Sequence, residues 1–329
     1  MARRALAYPS QMQPLALPRV LADLPVSPAV TELLTDRAEL VPWSAAGSGR
    51  FDAIYTYGHP AVDAALLDRL PGVRVISNFG VGVDHIDVAD ATRRGIPVGN
   101  TPGILDGATA DLAFALILAA GRRIVEGDKY ARGPEFVRYD PTYLLGREVH
   151  SSTLGIIGLG RIGEQVAKRA RAFDMTVLYH NRTRRPDVEE RLGVRYVSRD
   201  ELLATADYVV LTCPLTPETR CLIGQAELAR MKPTAALVNV SRGPVVDTAA
   251  LTEALTNRVI RMAALDVTDP EPLPRDHLLL RLDNVVITPH LGSATEETRR
   301  RMAEVSVENL LAGLAGRPLL HRVTPTGGV

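Results

Sequence analysis

Lysine is nearly absent from this chain: of 38 basic residues among 329, only Lys129, Lys168 and Lys232 are lysines, and 38 acidic residues bring the formal charge to zero. A neutral chain has no surplus of cations to set against a phosphate backbone, so the arginine bias implies no nucleic-acid partner. Cysteine is scarce as well. Cys213 and Cys221 are too few for a disulfide framework and lie at no metal-ligand spacing, which argues for a reducing compartment and against a metal site. Long apolar runs are missing too: Leu112 to Ala120 is about half the length that spans a bilayer. The opening Met1-Ala2-Arg3-Arg4 superficially resembles a charged signal region, but Pro9, Pro14 and Pro18 break up the segment after it. A cytoplasmic protein with no membrane partner is therefore expected. Internal repeats and low-complexity segments are also absent. What the chain does have is 46% apolar residues over a length that suits two domains.

The most informative stretch runs from Thr153 to Arg185. A short β-branched run, Thr153 to Ile157, enters Gly158-Leu159-Gly160-Arg161-Ile162-Gly163, which feeds a helical pattern from Arg161 to Phe173. Strand, glycines, then helix is the context that the dinucleotide fingerprint requires. The first glycine allows the tight turn, the second lets backbone approach a pyrophosphate, the third lets helix pack on strand, and the helix N-terminus offers free N–H groups. A second strand, Thr176 to Tyr179, ends near the position about 20 residues past the glycines where an acid usually holds the adenosine ribose. Here the slot falls at Asn181. An aspartate would repel a 2′-phosphate, whereas Asn181-Arg182-Thr183-Arg184-Arg185 supplies neutral and cationic donors. NADP(H) is expected over NAD(H), with NAD(H) still usable; the competing reading of the run is a solvated basic turn.

The chain before about Ala16 is Pro-rich and low in pattern, and loose order is expected there. Beyond it, strands are read at Glu39–Trp43, Asp52–Tyr57, Val73–Asn78 and Pro97–Asn100, and helices at Val30–Leu34, Ala61–Leu70 and Asp84–Arg94. Gly103 to Arg123 is apolar around nearly its whole circumference, so it reads as a buried helix or one shared with a partner subunit. Gly127 to Ser152 is polar, carries Tyr130, Phe136, Tyr139 and Tyr143, and is read as an irregular crossing connection. After the glycine loop come strands at Asp207–Cys213, Ala235–Val240, Met262–Val267 and Val285–Thr288, then a long helix from Ala294 to Gly313. Strands alternating with helices imply parallel sheets covered on both faces.

The last three of those strands each deliver a chemically capable residue to the loop at its carboxyl end: Arg242, Glu271 and His290. Gly80-Val81-Gly82 likewise follows a strand end, where ligands of open α/β sheets bind. It reads either as a set of bare N–H groups for an anion or as a plain turn.

At these residues the chain closely resembles the D-isomer-specific 2-hydroxyacid dehydrogenase family, through NFGVGVDHID, RRGIPVGNTPG, TADLAFALILAAGRR, GLGRIG, CPLTPET, NVSRGPVVD, ALDV, EP and TPHLGSAT. Asn181-Arg182-Thr183 and CPLTPET look most like the glyoxylate/hydroxypyruvate reductase and hydroxyphenylpyruvate reductase branch, whose members commonly use NADPH. The resemblance implies an α/β fold of two doubly wound parallel-sheet domains, a Rossmann cofactor domain (104–290) inserted into a flavodoxin-like substrate domain (1–103 and 291–329), and a homodimer. It implies that Arg242 binds the substrate carboxylate and carbonyl, that His290 is the acid/base with Glu271 as its partner, and that Val81 and Gly82 hold the carboxylate through N–H groups. On the cofactor side it implies Thr109, the loop Gly158, Leu159, Gly160, Arg161, Ile162 and Gly163, and Asn181, Arg182, Thr183 and Arg185. Cys213, Pro214, Thr219, Val240, Ser241, Arg242, Asp266, His290 and Gly292 complete that set. Two departures stand out: Thr268-Asp269 replaces the usual aromatic-acid pair before Glu271, and Arg132-Gly133 is followed by Pro134-Glu135-Phe136 with no tryptophan.

The residue chemistry agrees with reduction of a 2-oxo acid. Histidine titrates near neutrality and a carboxylate on its other nitrogen holds the tautomer. Arginine's planar fork matches a carboxylate, and closure of a cleft between domains would exclude water. A second class remains open, a dinucleotide-sensing corepressor of the same fold, as does an aryl-pyruvate reductase within the enzymes.

Overall fold

The computed structural model describes residues 16–23, 25–47 and 49–325. The chain divides into two compact units, Met1–Thr101 with Ala303–Val329, and Pro102–Met302. The sequence reading sets the borders at 103/104 and 290/291, the second at the end of the last strand's loop. The second division between compact units falls instead inside one continuous helix, Glu296–Leu314, because helical periodicity carries no mark of which core each turn joins.

The first unit contains β1 (Arg19–Ala22), α1 (Pro28–Leu34), β2 (Glu39–Pro42), β3 (Ala53–Thr56), α2 (Ala64–Arg69), β4 (Val75–Asn78), α3 (Val88–Arg93) and β5 (Val98–Gly99). Its strands pair in parallel in the order β2-β1-β3-β4-β5, the flavodoxin-like order. Asp63 and Asp87 cap α2 and α3 by accepting from Leu66 N and Asp90 N, which fixes where each helix starts. The strand Arg19–Ala22 is missing from the sequence reading. Four residues after a proline are too few to show a period, and the segment is a strand because it pairs with β2 on one side and β3 on the other. The stretch before Ala16, expected to be loosely ordered, lies outside the described residues.

The second unit contains α4 (Asp106–Arg122), α5 (Ile124–Arg132), β6 (Thr153–Ile157), α6 (Arg161–Ala172), β7 (Thr176–His180), α7 (Pro186–Leu192), β8 (Arg195–Tyr196), α8 (Arg199–Thr205), β9 (Tyr208–Leu211), α9 (Gln225–Arg230), β10 (Ala236–Asn239), α10 (Thr248–Thr256), β11 (Met262–Leu265) and β12 (Val285–Ile287), and α11 (Glu296–Leu314) begins in it. The sheet is all parallel in the order β12-β11-β10-β9-β6-β7-β8, a Rossmann order extended by one strand. Successive strand residues alternate between two cores. Ile156, Tyr179, Val210, Val238 and Ala264 face the core shared with α4 and α6, while Ile157, Leu178, Leu211, Leu237 and Leu265 face the core shared with α8 and α10. Two-sided burial is why these strands read as continuous apolar runs.

The connection expected to be irregular begins with a helix, α5. Arg123 at φ 53° breaks it from α4, and none of its residues is buried. Pairs Arg123–Glu126 and Asp128–Arg132, three and four residues apart, support it locally in place of a core. Among the described residues no helix is long and apolar enough to cross a membrane.

Candidate active site

Strand order puts β10, β11 and β12 side by side, so their carboxyl-end loops form one rim of the second unit. His290 Nδ1 lies 2.7 Å from Glu271 Oε1, and both side chains are partly exposed. The histidine sits at φ 57°, a conformation that L residues adopt only when their surroundings impose it. Asp266 imposes it. Its carboxylate, only 2% exposed, accepts from Thr288 Oγ1 (2.6 Å), Leu291 N (2.7 Å) and Gly292 N (2.8 Å), while its carbonyl accepts from His290 N (2.9 Å). A carboxylate offers about four lone-pair sites, so about one remains. A side chain on Gly292 would meet Asp266 Oδ2 and Thr109, which places α4's Thr109 against the same loop.

Arg242 is held by a similar device one strand over. Buried Asn239 donates from Nδ2 to Arg242 O (2.9 Å) and accepts at Oδ1 from Ser241 N (3.0 Å) and Ser241 Oγ (2.9 Å). Gly243 then packs so tightly that a Cβ would run into Thr268 O. The turn carrying Arg242 is therefore seated directly on the backbone leading to Glu271. Asn239 and Thr288 are not singled out by the sequence; the only signal there is a small polar residue at each strand end.

The glycine loop leaves β6 at the switch point between β6 and β9. Gly158 has φ 103°, and a Cβ there would be 2.5 Å from Cys213 N; at Gly163 it would be 2.5 Å from Gly158 O; at Gly160 it would meet nothing within 4 Å. Close backbone packing at two glycines and open space at the third is what a pyrophosphate on a helix N-terminus needs, and no side chain caps α6. Leu159 is buried, and Arg161 pairs with Asp106 at 2.9 Å. Thr212 Oγ1 donates to Gly158 O (2.7 Å), and the Thr219 hydroxyl closes the next loop by donating to Pro214 O (2.7 Å). Burial pushes the Cys213 thiol up to about 11. Val240 is buried beside these loops at the end of β10.

Asn181, at the position expected for the ribose-binding residue, is tied to the glycine loop: Leu159 N donates to its Oδ1 (2.6 Å), and its Nδ2 donates to Leu159 O (3.3 Å). The basic run after it divides. Arg184 forks onto Glu189 at 2.8 and 2.7 Å, and that guanidinium, with the Tyr179 hydroxyl, holds the Glu189 carboxyl down at about 2. Arg185 pairs with Asp187 and Glu164, each at 3.1 Å. Thr183 is exposed, and so is Arg182, which among the described residues makes no hydrogen bond or ion pair. The Glu218 carboxyl is held below its usual range by the Thr216 hydroxyl first, with the Arg182 charge a lesser cause.

Val81 and Gly82 lie in the other unit, just past β4. Among the described residues no group of histidine, cysteine, aspartate and glutamate is arranged to hold a metal.

A dinucleotide-type loop on the sheet edge that carries the His290 rim defines the class as NAD(P)-dependent oxidoreductases. Residues 114–292 match the family described as D-isomer specific 2-hydroxyacid dehydrogenase, NAD binding domain. The chain is 50% identical over 262 residues, 79% of each chain, to a glyoxylate reductase of Korarchaeum cryptofilum. It is 44% identical to one from Aeropyrum pernix over 314 residues, 91% of this chain and 94% of that one. It shares TM-score 0.86 and 33% identity, over 94% of this chain and 97% of the other, with an NADPH-dependent glyoxylate/hydroxypyruvate reductase from Sinorhizobium meliloti solved with NADP and malonate. The chain belongs to the D-isomer-specific 2-hydroxyacid dehydrogenase family. It is an enzyme of that family, and its cofactor is a nicotinamide dinucleotide.

Proposed function

We propose that this protein is an NADPH-preferring reductase of 2-oxo acids to D-2-hydroxy acids, acting on glyoxylate- and hydroxypyruvate-type substrates. The observation that carries the chemistry is the 2.7 Å contact of His290 Nδ1 with Glu271. Glu271 accepts a hydrogen bond from Nδ1–H, so the protonated imidazole keeps that proton and gives its Nε2 proton to the carbonyl oxygen as it becomes an alkoxide. Arg242 takes the substrate carboxylate and carbonyl in its planar fork, aided by Val81 and Gly82 N–H groups. A nicotinamide dinucleotide held there would supply the hydride for the carbonyl carbon. Gly158, Gly160, Gly163 and the first N–H groups of α6 would hold its pyrophosphate, flanked by Thr109, Leu159, Arg161, Ile162, Cys213, Pro214, Thr219, Val240, Ser241, Asp266 and Gly292. Asn181, Arg182 and Thr183 would meet the adenosine ribose. Arg182 carries the preference for a 2′-phosphate, since Arg184 and Arg185 are already committed to carboxylates.

The proposal includes a cytoplasmic homodimer. Phe136 and Tyr143 both pack on the Tyr130 ring, at 5.4 and 4.6 Å, in a segment that also exposes Ile124, Val137, Tyr139 and Leu145. An apolar surface of that extent suits a second copy. Light scattering would give about twice the 35.6 kDa chain mass.

The reaction is tested by following NADPH and NADH oxidation in parallel against glyoxylate, hydroxypyruvate and hydroxyphenylpyruvate. NADPH with the first two is expected to be the best combination. Equal kcat/KM for both cofactors would remove the NADPH preference. No turnover with any pair would remove the reductase and favour the dinucleotide-sensing reading.

A further inference from the structure

Every carbonyl of the Gly80-Val81-Gly82 loop is held by a hydrogen bond. Asn78 Nδ2 donates to Gly80 O (3.0 Å) and Gly82 O (2.9 Å), Asn100 Nδ2 donates to Val81 O (2.9 Å), and Thr101 N donates to Gly80 O (3.0 Å). Both asparagines are almost wholly buried, at 2% and 5% exposure. The Asn78 amide has one sensible orientation: flipped, its oxygen would face two carbonyl oxygens, and as it stands Oδ1 accepts from buried Thr56 Oγ1 at 2.8 Å.

In a trans peptide the C=O of one residue and the N–H of the next point to opposite sides of one plane. Fixing Gly80 O and Val81 O on the buried amides therefore aims Val81 N–H and Gly82 N–H away from them. Among the described residues neither N–H has an acceptor within the chain. Backbone donors at the carboxyl end of a parallel strand, left over while their carbonyls are fully engaged, suit a carboxylate.

We propose that Asn78 and Asn100, backed by Thr56, are positioning residues for the substrate carboxylate. They act through the loop backbone and touch no substrate. The inference rests on the assignment of Val81 and Gly82 in the reductase reading above, and it adds what makes that loop a pre-organised donor set. A purely structural role would lower thermal stability and leave anion affinity unchanged.

The test is calorimetric titration of the NADPH-saturated full chain with oxalate, a non-reacting analogue of a 2-oxo carboxylate, beside an NADPH titration and a thermal melt. Asn78→Asp and Asn100→Asp exchange a donor for an acceptor at equal size. Each is expected to weaken oxalate binding about ten- to hundredfold, the range for losing charge-assisted hydrogen bonds. NADPH affinity stays within about twofold of the unmodified protein, KM for the 2-oxo acid rises in step with the oxalate Kd, and kcat falls far less. Thr56→Val, a milder isosteric change, gives about a two- to fivefold weakening and decides the matter if Asn78→Asp does not fold. Folded variants that bind NADPH and hold oxalate as tightly as the unmodified protein would overturn the proposal. An unmodified protein that reduces no 2-oxo acid, yet whose oxalate binding the asparagine variants weaken, would sink the reductase reading and leave the positioning role standing. One that binds no oxalate overturns the positioning role, whatever its turnover.

Discussion

The glycine loop after β6 and the rim after β10 to β12 lie on the same sheet edge and are shaped by different means. At Gly158 and Gly163 shape comes from removing side chains, because backbone atoms already stand 2.5 Å from where each Cβ would be. Around His290 and Arg242 shape comes mainly from adding buried polar groups, Asp266 whose side chain accepts three bonds and Asn239 whose side chain donates one and accepts two. The first kind of site is written in a short run of residues. The second depends, through Asp266, on groups 22 to 26 residues apart meeting with good geometry, and only its Asn239 bonds are local. One should therefore fail through cofactor binding and the other through rate.

The largest separation is expected from His290→Ala, which removes the proposed proton donor and should lower kcat about 10²–10⁴-fold while NADPH affinity, measured by fluorescence titration, barely changes. Near-native turnover would remove the histidine from proton transfer. Next comes the double change Asn181→Asp with Arg182→Ala. It adds the acid that favours ribose hydroxyls and removes the unpaired guanidinium, so the kcat/KM ratio of NADPH to NADH should fall about ten- to several-hundredfold. The carboxylate introduced by Asn181→Asp would still accept from Leu159 N and would lose only the weaker donation at 3.3 Å, so the glycine loop should survive. A ratio near one before mutation would make Arg182 a solvated surface charge.

Two glycine variants sharpen the contrast. Gly158→Ala forces a side chain onto a φ of 103° and into Cys213, and should raise the NADPH Kd about tenfold or more with little further loss once cofactor is saturating. Gly243→Ala drives a Cβ into Thr268 O and should do the reverse, lowering kcat about tenfold while the NADPH Kd holds. If both variants shifted the same parameter, the two sites would not be separable. The smallest effect is chemical: with its thiol pushed up to about 11, Cys213 is only about one part in a thousand thiolate at pH 8, so iodoacetamide should label it only after unfolding. Labelling of the native protein at Cys213 would show that the β9 end opens.

Legibility followed the same division. The β6 strand, its glycines and α6 are readable within a residue of their ends, because strand propensity, missing side chains and helical period are all local. Arg242, Glu271 and His290 are readable as strand-end residues but not as neighbours, since only the order β10, β11, β12 brings them onto one rim. Nothing local shows which arginine after Asn181 is left unpaired. That depends on α7, which presents Glu189 to Arg184 and Asp187 to Arg185 and is absent from the sequence reading. Arg19–Ala22 escapes it for a related reason, as its strand state rests on two partners and not on its own four residues.

By itself the sequence determined the parallel α/β class, the dinucleotide loop and the residue types of the chemistry, because each rests on short-range sterics or on the intrinsic properties of glycine, histidine and arginine. Only the tertiary structure decided that Asp266 holds His290 at a left-handed φ, that Asn239 and Gly243 seat Arg242 against the Glu271 loop, and that Asn78 and Asn100 turn two N–H groups outward. The Asp266, Asn100 and Gly243 contacts join segments 19 to 25 residues apart and exist only once the sheets have set the strand order, whereas Asn239 and Asn78 reach three and four residues along the chain from buried strand ends.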